Sequence, residues 1–185
     1  MAEILVIVNP QNDFVNGSMS NDNSMKILPD MVHVIKEHVA NNNPIFVVQD
    51  THTKNYRSTP EGKKNPMPHC IVRTDGWKVH EKIQDALNLA EPGNVTFLQK
   101  EAFASFDLVK QLKDTVRSFE ERIRNIKVIG YLTDVDVLNN AILIKNNFKQ
   151  IPTSVLSYAC SGTNEDLHNS ALDVMESSQI NIIEL

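Results

Sequence analysis

With 185 residues the chain is long enough to bury one full core without disulfide staples or a structural metal. Its hydrophobic and charged fractions, 41% and 22%, are those of an ordinary globular protein, and a formal net charge of −5 with no basic run argues against nucleic acid as a partner. No apolar stretch approaches a membrane span, no leader-like segment precedes the first apolar run, and two cysteines make no disulfide framework, so a single domain over residues 1–185 in a reduced, cytoplasmic setting is expected, with no membrane partner.

Glu3 to Val8 is a β-branched apolar run, as expected of a strand buried on both faces, and Asn9-Pro10 ends it. Gln11 to Asn23 is polar and reads as loop. Met31, Val32, Val34, Ile35 and Val39 have helical spacing, and the turn Asn41-Asn42-Asn43-Pro44 closes that helix. Ile45 to Val48 predicts the second strand. A long loop from Asp50 to about Gly76 follows, a length that in compact domains marks function or disorder. Trp77 to Leu89 predicts a helix, Val95 to Leu98 the third strand, and Phe106 to about Ile123 a helix with a charged outer side. Ile126 to Gly130 predicts the fourth strand, and the next helix runs from Val135. Ile151 to Leu156 is the fifth strand, with Cys160 expected in a turn beyond it. Leu167 to Met175 is a helix capped by Asn164 or Thr163, and Ile180 to Ile183 is the last strand. Strands that are continuous apolar runs alternating with helices predict an α/β fold: a doubly wound parallel sheet with helices on both faces.

In such sheets ligands bind beyond the carboxyl ends of the strands. Asn9 ends the first strand there, Lys100 the third, and Asp136 lies in the first turn of the helix after the fourth. Asp136 either faces the crevice or complements the helix dipole. Lys100, following a buried strand opposite an acid, is expected to be paired. Asp50, His52, Glu61 and His69 occupy the long loop, which the prolines 60, 66 and 68 stiffen. Two imidazoles and one or two carboxylates suit a divalent metal such as zinc, manganese or iron; the alternative is that they are merely solvated.

The stretches VNPQNDF (8–14), QDTH (49–52), NPMPHC (65–70), QKEAF (99–103) and GYLTDVDV (130–137) resemble those of isochorismatase-like cysteine hydrolases, particularly nicotinamidases. SYACSG (157–162) and VMESSQI (174–180) carry the similarity to the end of the chain. The resemblance implies a six-stranded parallel sheet and a centre built from an aspartate in D-x-Q-x-D-F, a lysine after the third strand and a cysteine in T-D-x-C. There the aspartate takes the thiol proton, the thiolate attacks an amide carbon, and backbone N–H groups at the helix start, here those of Leu132 and Asp136, hold the oxyanion.

Carried over residue by residue, the lysine is Lys100, but the aspartate position holds Asn9 and the cysteine position holds Asp136. Asn9 accepts no proton at neutral pH, and Asp136 is a poor nucleophile toward an amide. A Lys100–Asp136 ion pair in the altered centre is therefore expected. Asp50, His52 and His69 match family metal ligands, and Glu61 sits where some members place a fourth; in nicotinamidases this metal binds the substrate's pyridine nitrogen. Phe14 and Trp77 stand either in the pocket wall or in the core. The expected reading is a pseudoenzyme keeping a divalent metal, zinc first, and a pocket for a small molecule of the pyridine carboxamide kind. The alternatives are an amidohydrolase using metal-bound water with Asp136 as base, and a structural module; homo-oligomers are common among such proteins.

Overall fold

The computed structural model describes residues 2–118 and 123–185. Six strands form one sheet: β1 (Ala2–Val8), β2 (Ile45–Asp50), β3 (Val95–Lys100), β4 (Ile123–Tyr131), β5 (Thr153–Ser161) and β6 (Asn181–Ile183). Their spatial order is β3-β2-β1-β4-β5-β6 and every neighbouring pair is parallel. The central strands are apolar throughout because helices cover both faces. Ile4 to Val8 and Ile45 to Val48 are almost wholly buried.

The helices are α1 (Asn12–Val15), α2 (Leu28–Ala40), α3 (Pro60–Lys64), α4 (Glu81–Leu87), α5 (Phe106–Ser118), α6 (Leu138–Asn147) and α7 (Glu165–Ser177). A wide π-helical turn, Thr133–Val137, leads into α6. No helix among the described residues is long and apolar enough to cross a membrane.

Several boundaries differ from expectation, each for a local reason. The segment expected to be a helix from Trp77 is not helical before Glu81: Trp77 and Lys78 lie in a turn, Val79 bridges Gln11, and the Trp77 carbonyl accepts from the Gln11 side chain at 2.8 Å. Only then does α4 begin, capped by His80. The loop after Pro10 contains the single turn α1, and the long loop contains α3 and a 3₁₀ turn at Tyr56–Ser58. The helix expected to reach Ile123 is described to Ser118; residues 119–122 lie outside the described residues, and Ile123 already opens β4. β5 runs on to Ser161 instead of ending at Leu156. An irregularity in pairing takes Val128↔Val155 to Gly130↔Cys160, so Cys160 lies in the strand and not in a turn. The two capping candidates divide: Asn164 Oδ1 accepts the Leu167 N–H at 2.9 Å, while Thr163 donates its N–H and hydroxyl to Asp134 at 2.6 and 2.7 Å.

The first crossovers build outward from β1 through β2 to β3, and the later ones on its other side through β4. The β1/β4 boundary is therefore the switch point, where a crevice opens above the carboxyl ends of the strands. Gly130 lets β4 approach there. Its φ is +132°, and a Cβ would overlap the Val8 carbonyl of β1. Gly130→Ala is expected to lower stability by at least about 2 kcal/mol through backbone strain and overlap. Urea unfolding of the variant against the parent measures it, a loss below about 0.5 kcal/mol contradicting this view of the close approach.

Candidate metal centre and pocket

The site begins with register. Asp50 and Lys100 are the last residues of two adjacent parallel strands and are direct partners, so their side chains leave the sheet together. Lys100 Nζ donates to Asp50 Oδ1 at 3.2 Å and to Asp136 Oδ1 at 2.6 Å, and all three residues are buried. The juxtaposition of Lys100 and Asp136 expected from the sequence is present, with Asp50 as an additional partner that the sequence reading assigned to the metal alone.

Electrostatics follow from that arrangement. Burial alone disfavours the charge on Asp50, but hydrogen bonds from His52 and His69 and the Lys100 charge outweigh it and hold the carboxyl far below the ordinary range. Burial likewise opposes the ammonium of Lys100, and its two carboxylates outweigh that and raise it. Asp136 goes the other way. Burial, helped by the negative charge of Asp50 across the same ammonium, pushes it up against the pull of Lys100.

Asn9 ends β1 with φ +50°, a left-handed conformation that asparagine tolerates better than most side chains. It is completely buried, and neither amide atom makes a hydrogen bond, although the side chain lies close enough to Asp136 to favour its ionised form. Gln11, two residues on, clamps Asp50: its Oε1 accepts the Asp50 N–H at 2.7 Å and its Nε2 donates to the Asp50 carbonyl at 2.8 Å. Asp13 reaches across to the long loop, where its Oδ2 accepts the Cys70 N–H at 2.7 Å. His52 pairs with Ile71 as an isolated bridge, and its N–H donates to the Cys70 carbonyl. These contacts bring the two histidines, seventeen positions apart, to a ring separation of 4.8 Å.

One ligand atom from each of Asp50, His52 and His69 lies within 4.8 Å of the others, and all three residues are buried. His52 Nε2 is 3.0 Å and His69 Nε2 3.2 Å from Asp50 Oδ2; Glu61 Oε1 stands 3.7 and 3.9 Å from the same two nitrogens. Thr59 caps α3, Gly62 packs too closely on the Tyr56 carbonyl to admit a Cβ, and so Glu61 is aimed inward. His69 Nδ1 is satisfied by the Met67 carbonyl at 3.0 Å, so Nε2, which here faces Asp50 Oδ2 at 3.2 Å, is the nitrogen that would bind a metal once it gives up its proton. Two imidazoles and a buried carboxylate, with a second carboxylate alongside, are a donor set able to hold a divalent metal ion.

A cavity of about 530 Å³ opens beside the cluster. Phe14, Met19, Phe103, Leu132 and Val135 supply apolar walls, and Asp50, Glu61, His69 and Asp136 supply the polar groups. Phe14 is at once wall and core: it is 1% exposed, with its ring edge-on to His69. Trp77 is not part of this lining among the described residues. Its indole N–H donates to Thr51 Oγ1 at 2.9 Å and the ring packs on the core, so the pocket role considered for it is corrected to a structural one. Leu132 follows a cis peptide bond and its carbonyl accepts from Val135 and Val137, with Asp136 between them in the same turn. The two thiols take no part. Burial pushes Cys160 up to about 12 and Cys70 higher still, so both stay protonated.

The family model of the isochorismatase domain matches residues 3–185. The chain belongs to the isochorismatase family. No curated protein sequence matches it. Among solved structures it resembles the nicotinamidase/pyrazinamidase PncA of Bacillus subtilis, at a TM-score of 0.84 and 22% identity over 100% of both chains. The pyrazinamidase of Pyrococcus horikoshii in complex with zinc gives 0.79 at 22%, and yeast nicotinamidase Pnc1p bound to the inhibitor nicotinaldehyde gives 0.80 at 17%, each again over 100% of both chains. At these identities the likeness is one of isochorismatase fold.

Gln11, Asp13, Tyr56 and Asn140 were not among the residues expected at this site. Asn140 is buried one helical turn after Asp136; it donates to the Asp136 and Phe103 carbonyls and accepts the Ser105 N–H. The signal for Asn140 was its i+4 spacing from Asp136, and for Gln11 and Asp13 their place in VNPQNDF. The shared ammonium makes a stability prediction. Lys100→Met leaves two buried carboxylates uncompensated and is expected to cost about 3–5 kcal/mol. Asp136→Asn keeps the Lys100–Asp50 pair and is expected to cost less than about 2 kcal/mol. Guanidinium unfolding of both variants tests the order, and an equal or smaller loss for Lys100→Met contradicts it.

Proposed function

We propose that this isochorismatase-family protein binds a divalent metal, zinc by preference, and a small molecule beside it, and does not hydrolyse amides by the cysteine route. The observation that carries this reading is the buried Lys100–Asp136 pair, of which Asp136 lines the cavity, with the uncharged Asn9 close to that carboxylate. Asp136 stands where the resemblance places a nucleophilic sulfur, and Asn9 where it places the proton acceptor. A carboxylate already accepting from Lys100 is held by that bond, and attack on an amide carbon would have to produce a mixed anhydride while expelling an amine. Asn9 has no basic lone pair to offer. Loss of the nucleophile alone lowers turnover roughly a million-fold in a well-studied serine protease.

The metal half of the reading rests on the donor set. Asp50, His52 and His69 would hold the ion, with Glu61 near enough to join after a small adjustment. When bound, the ion supplies a Lewis-acid centre for a lone pair of the ligand. The chain's own residues do the rest: Phe14, Phe103 and Leu132 exclude water around a flat ring, and Asp136 faces its polar substituent. The nicotinamidase/pyrazinamidase, the zinc-bound pyrazinamidase and the nicotinaldehyde-bound nicotinamidase whose folds this chain shares agree in kind with a pyridine-type ligand at a metal.

Metal analysis of purified protein is expected to give one divalent ion per chain, with affinity falling more than about hundredfold in His69→Ala. The metal-loaded protein is expected to release no ammonia from nicotinamide above background. The double variant Asn9→Asp with Asp136→Cys restores both missing groups and is expected to release it, whereas either single change is not. Ammonia release by the unaltered protein at an ordinary enzymatic pace would replace this reading with that of an active hydrolase.

A further inference from the structure

We propose that two copies of this chain associate through the free edge of β3, around a twofold axis at Phe97, and so join their sheets into one. The proposal is independent of the metal and ligand reading above.

β3 is the outermost strand on its side of the sheet, so β2 pairs with only one of its edges. The ladder to β2 shows which backbone groups that edge uses. Ile45 N–H donates to the Asn94 carbonyl at one end and Thr51 N–H to the Lys100 carbonyl at the other, with Val95 opposite Ile45. A parallel ladder uses alternate residues, so Thr96 and Leu98 also bond toward β2. Val95, Phe97 and Gln99 therefore turn their N–H and C=O groups outward, and these groups bond to no described residue.

Proteins commonly guard such an edge with lysine, proline, a bulge or brevity. The opposite edge of the sheet, β6, is only 3 residues long. β3 has 6 residues, no proline and a regular register on β2, and its one charge, Lys100, is buried in the centre described above. In the middle of the outward set stands Phe97, 46% exposed.

A second copy fits this edge because the edge is complementary to itself. A twofold axis through Phe97, perpendicular to the sheet, sets β3 antiparallel to the β3 of the other copy. Phe97 then faces the partner's Phe97 and Val95 the partner's Gln99, each pair matching outward N–H to outward C=O. Thr96 faces the partner's Leu98 on the other side of the sheet, and both are half-buried in the single chain. All five residues are uncharged, on a chain whose net charge of −5 makes its copies repel as a whole. Glu91 and Glu101, which flank the strand, are exposed, and solvent screens them. The antiparallel setting also puts the entry to one β3 beside the exit from the other. The exposed Leu89, before the strand, and Phe103 and Phe106, after it, therefore fall toward the ends of the contact. They extend it toward the roughly 1,000 Å² that a stable interface buries.

Sedimentation velocity of the purified chain at micromolar concentration is expected to show a dimer of the 20.9 kDa protein. Phe97→Lys sets two ammonium groups face to face at the axis and is expected to weaken association at least about tenfold, with an unchanged circular dichroism spectrum. A chain carrying both Thr96→Cys and Leu98→Cys tests the register. Its new thiols meet across a non-hydrogen-bonded pair, where a Cα separation of about 4.5 Å suits a disulfide. Cys70 and Cys160 are buried and stay out of the reaction. Mild oxidation by dissolved oxygen is expected to give a covalent dimer from the double variant and not from either single one.

A monomer at every concentration tested overturns the proposal, whether the edge then stays bare or serves a different protein. A dimer that persists undiminished in folded Phe97→Lys also overturns it, by placing the contact elsewhere. If Phe97→Lys does not fold, the disulfide decides: no covalent dimer from the double variant, or as much from a single variant, overturns the proposal.

Discussion

One buried ammonium organises the centre of this protein. Lys100 is brought beside Asp50 by the register of β3 on β2 and beside Asp136 by the turn that follows β4, so three strands meet through a single charge. Two carboxylates on one ammonium leave a net negative charge in a buried place, and the molecule divides it unequally. Burial opposes the charge on both; two imidazoles support Asp50 from the other side and outweigh it there, whereas Asp136 has no such support and burial prevails. Asp50 is thus the link between two clusters: Oδ1 serves the ammonium and Oδ2 serves the histidines. A metal held among the histidines would therefore act on Asp136 as well, through Asp50 and Lys100.

Backbone clamps hold that centre in place. Gln11 fixes Asp50 through both its N–H and its carbonyl, Asp13 fixes the backbone next to His69, and Asn140 ties the loop after β3 to the turn that carries Asp136. Each joins segments far apart in the chain, and each acts on main chain. The charged side chains consequently need not hold the loops, and their geometry is set before any ligand arrives.

What was legible in the sequence follows from this division. The six strands were plain because a sheet covered on both faces needs uninterrupted apolar runs, and residues following such runs, Asn9, Asp50, Lys100 and Asp136, fall at the crevice by topology alone. The clamps were not legible as clamps, since a glutamine that bonds main chain thirty-nine positions away looks like any polar loop residue until the loop is closed. Helical spacing misled at Trp77, where the Gln11 side chain takes the backbone carbonyl that a helix would use and the chain turns instead. It was also silent about β5 beyond Leu156, because the irregular stretch before Cys160 breaks the apolar run without ending the strand. The choice between Asn164 and Thr163 turned on a partner in another segment, Asp134, which captures the threonine and leaves the asparagine to cap α7.

A fold retained only as scaffold would have little use for this centre. Replacing a buried ion pair or triad with apolar side chains of similar volume is commonly neutral or stabilising, so the balance of stability gives no reason to keep Asp50, Lys100 and Asp136 charged in the interior. Nor does it give a reason to gather two imidazoles on the same carboxylate, or to bury the asparagine amide of Asn9 completely beside Asp136. On that ground a binding role accounts for more of the molecule than a purely structural one.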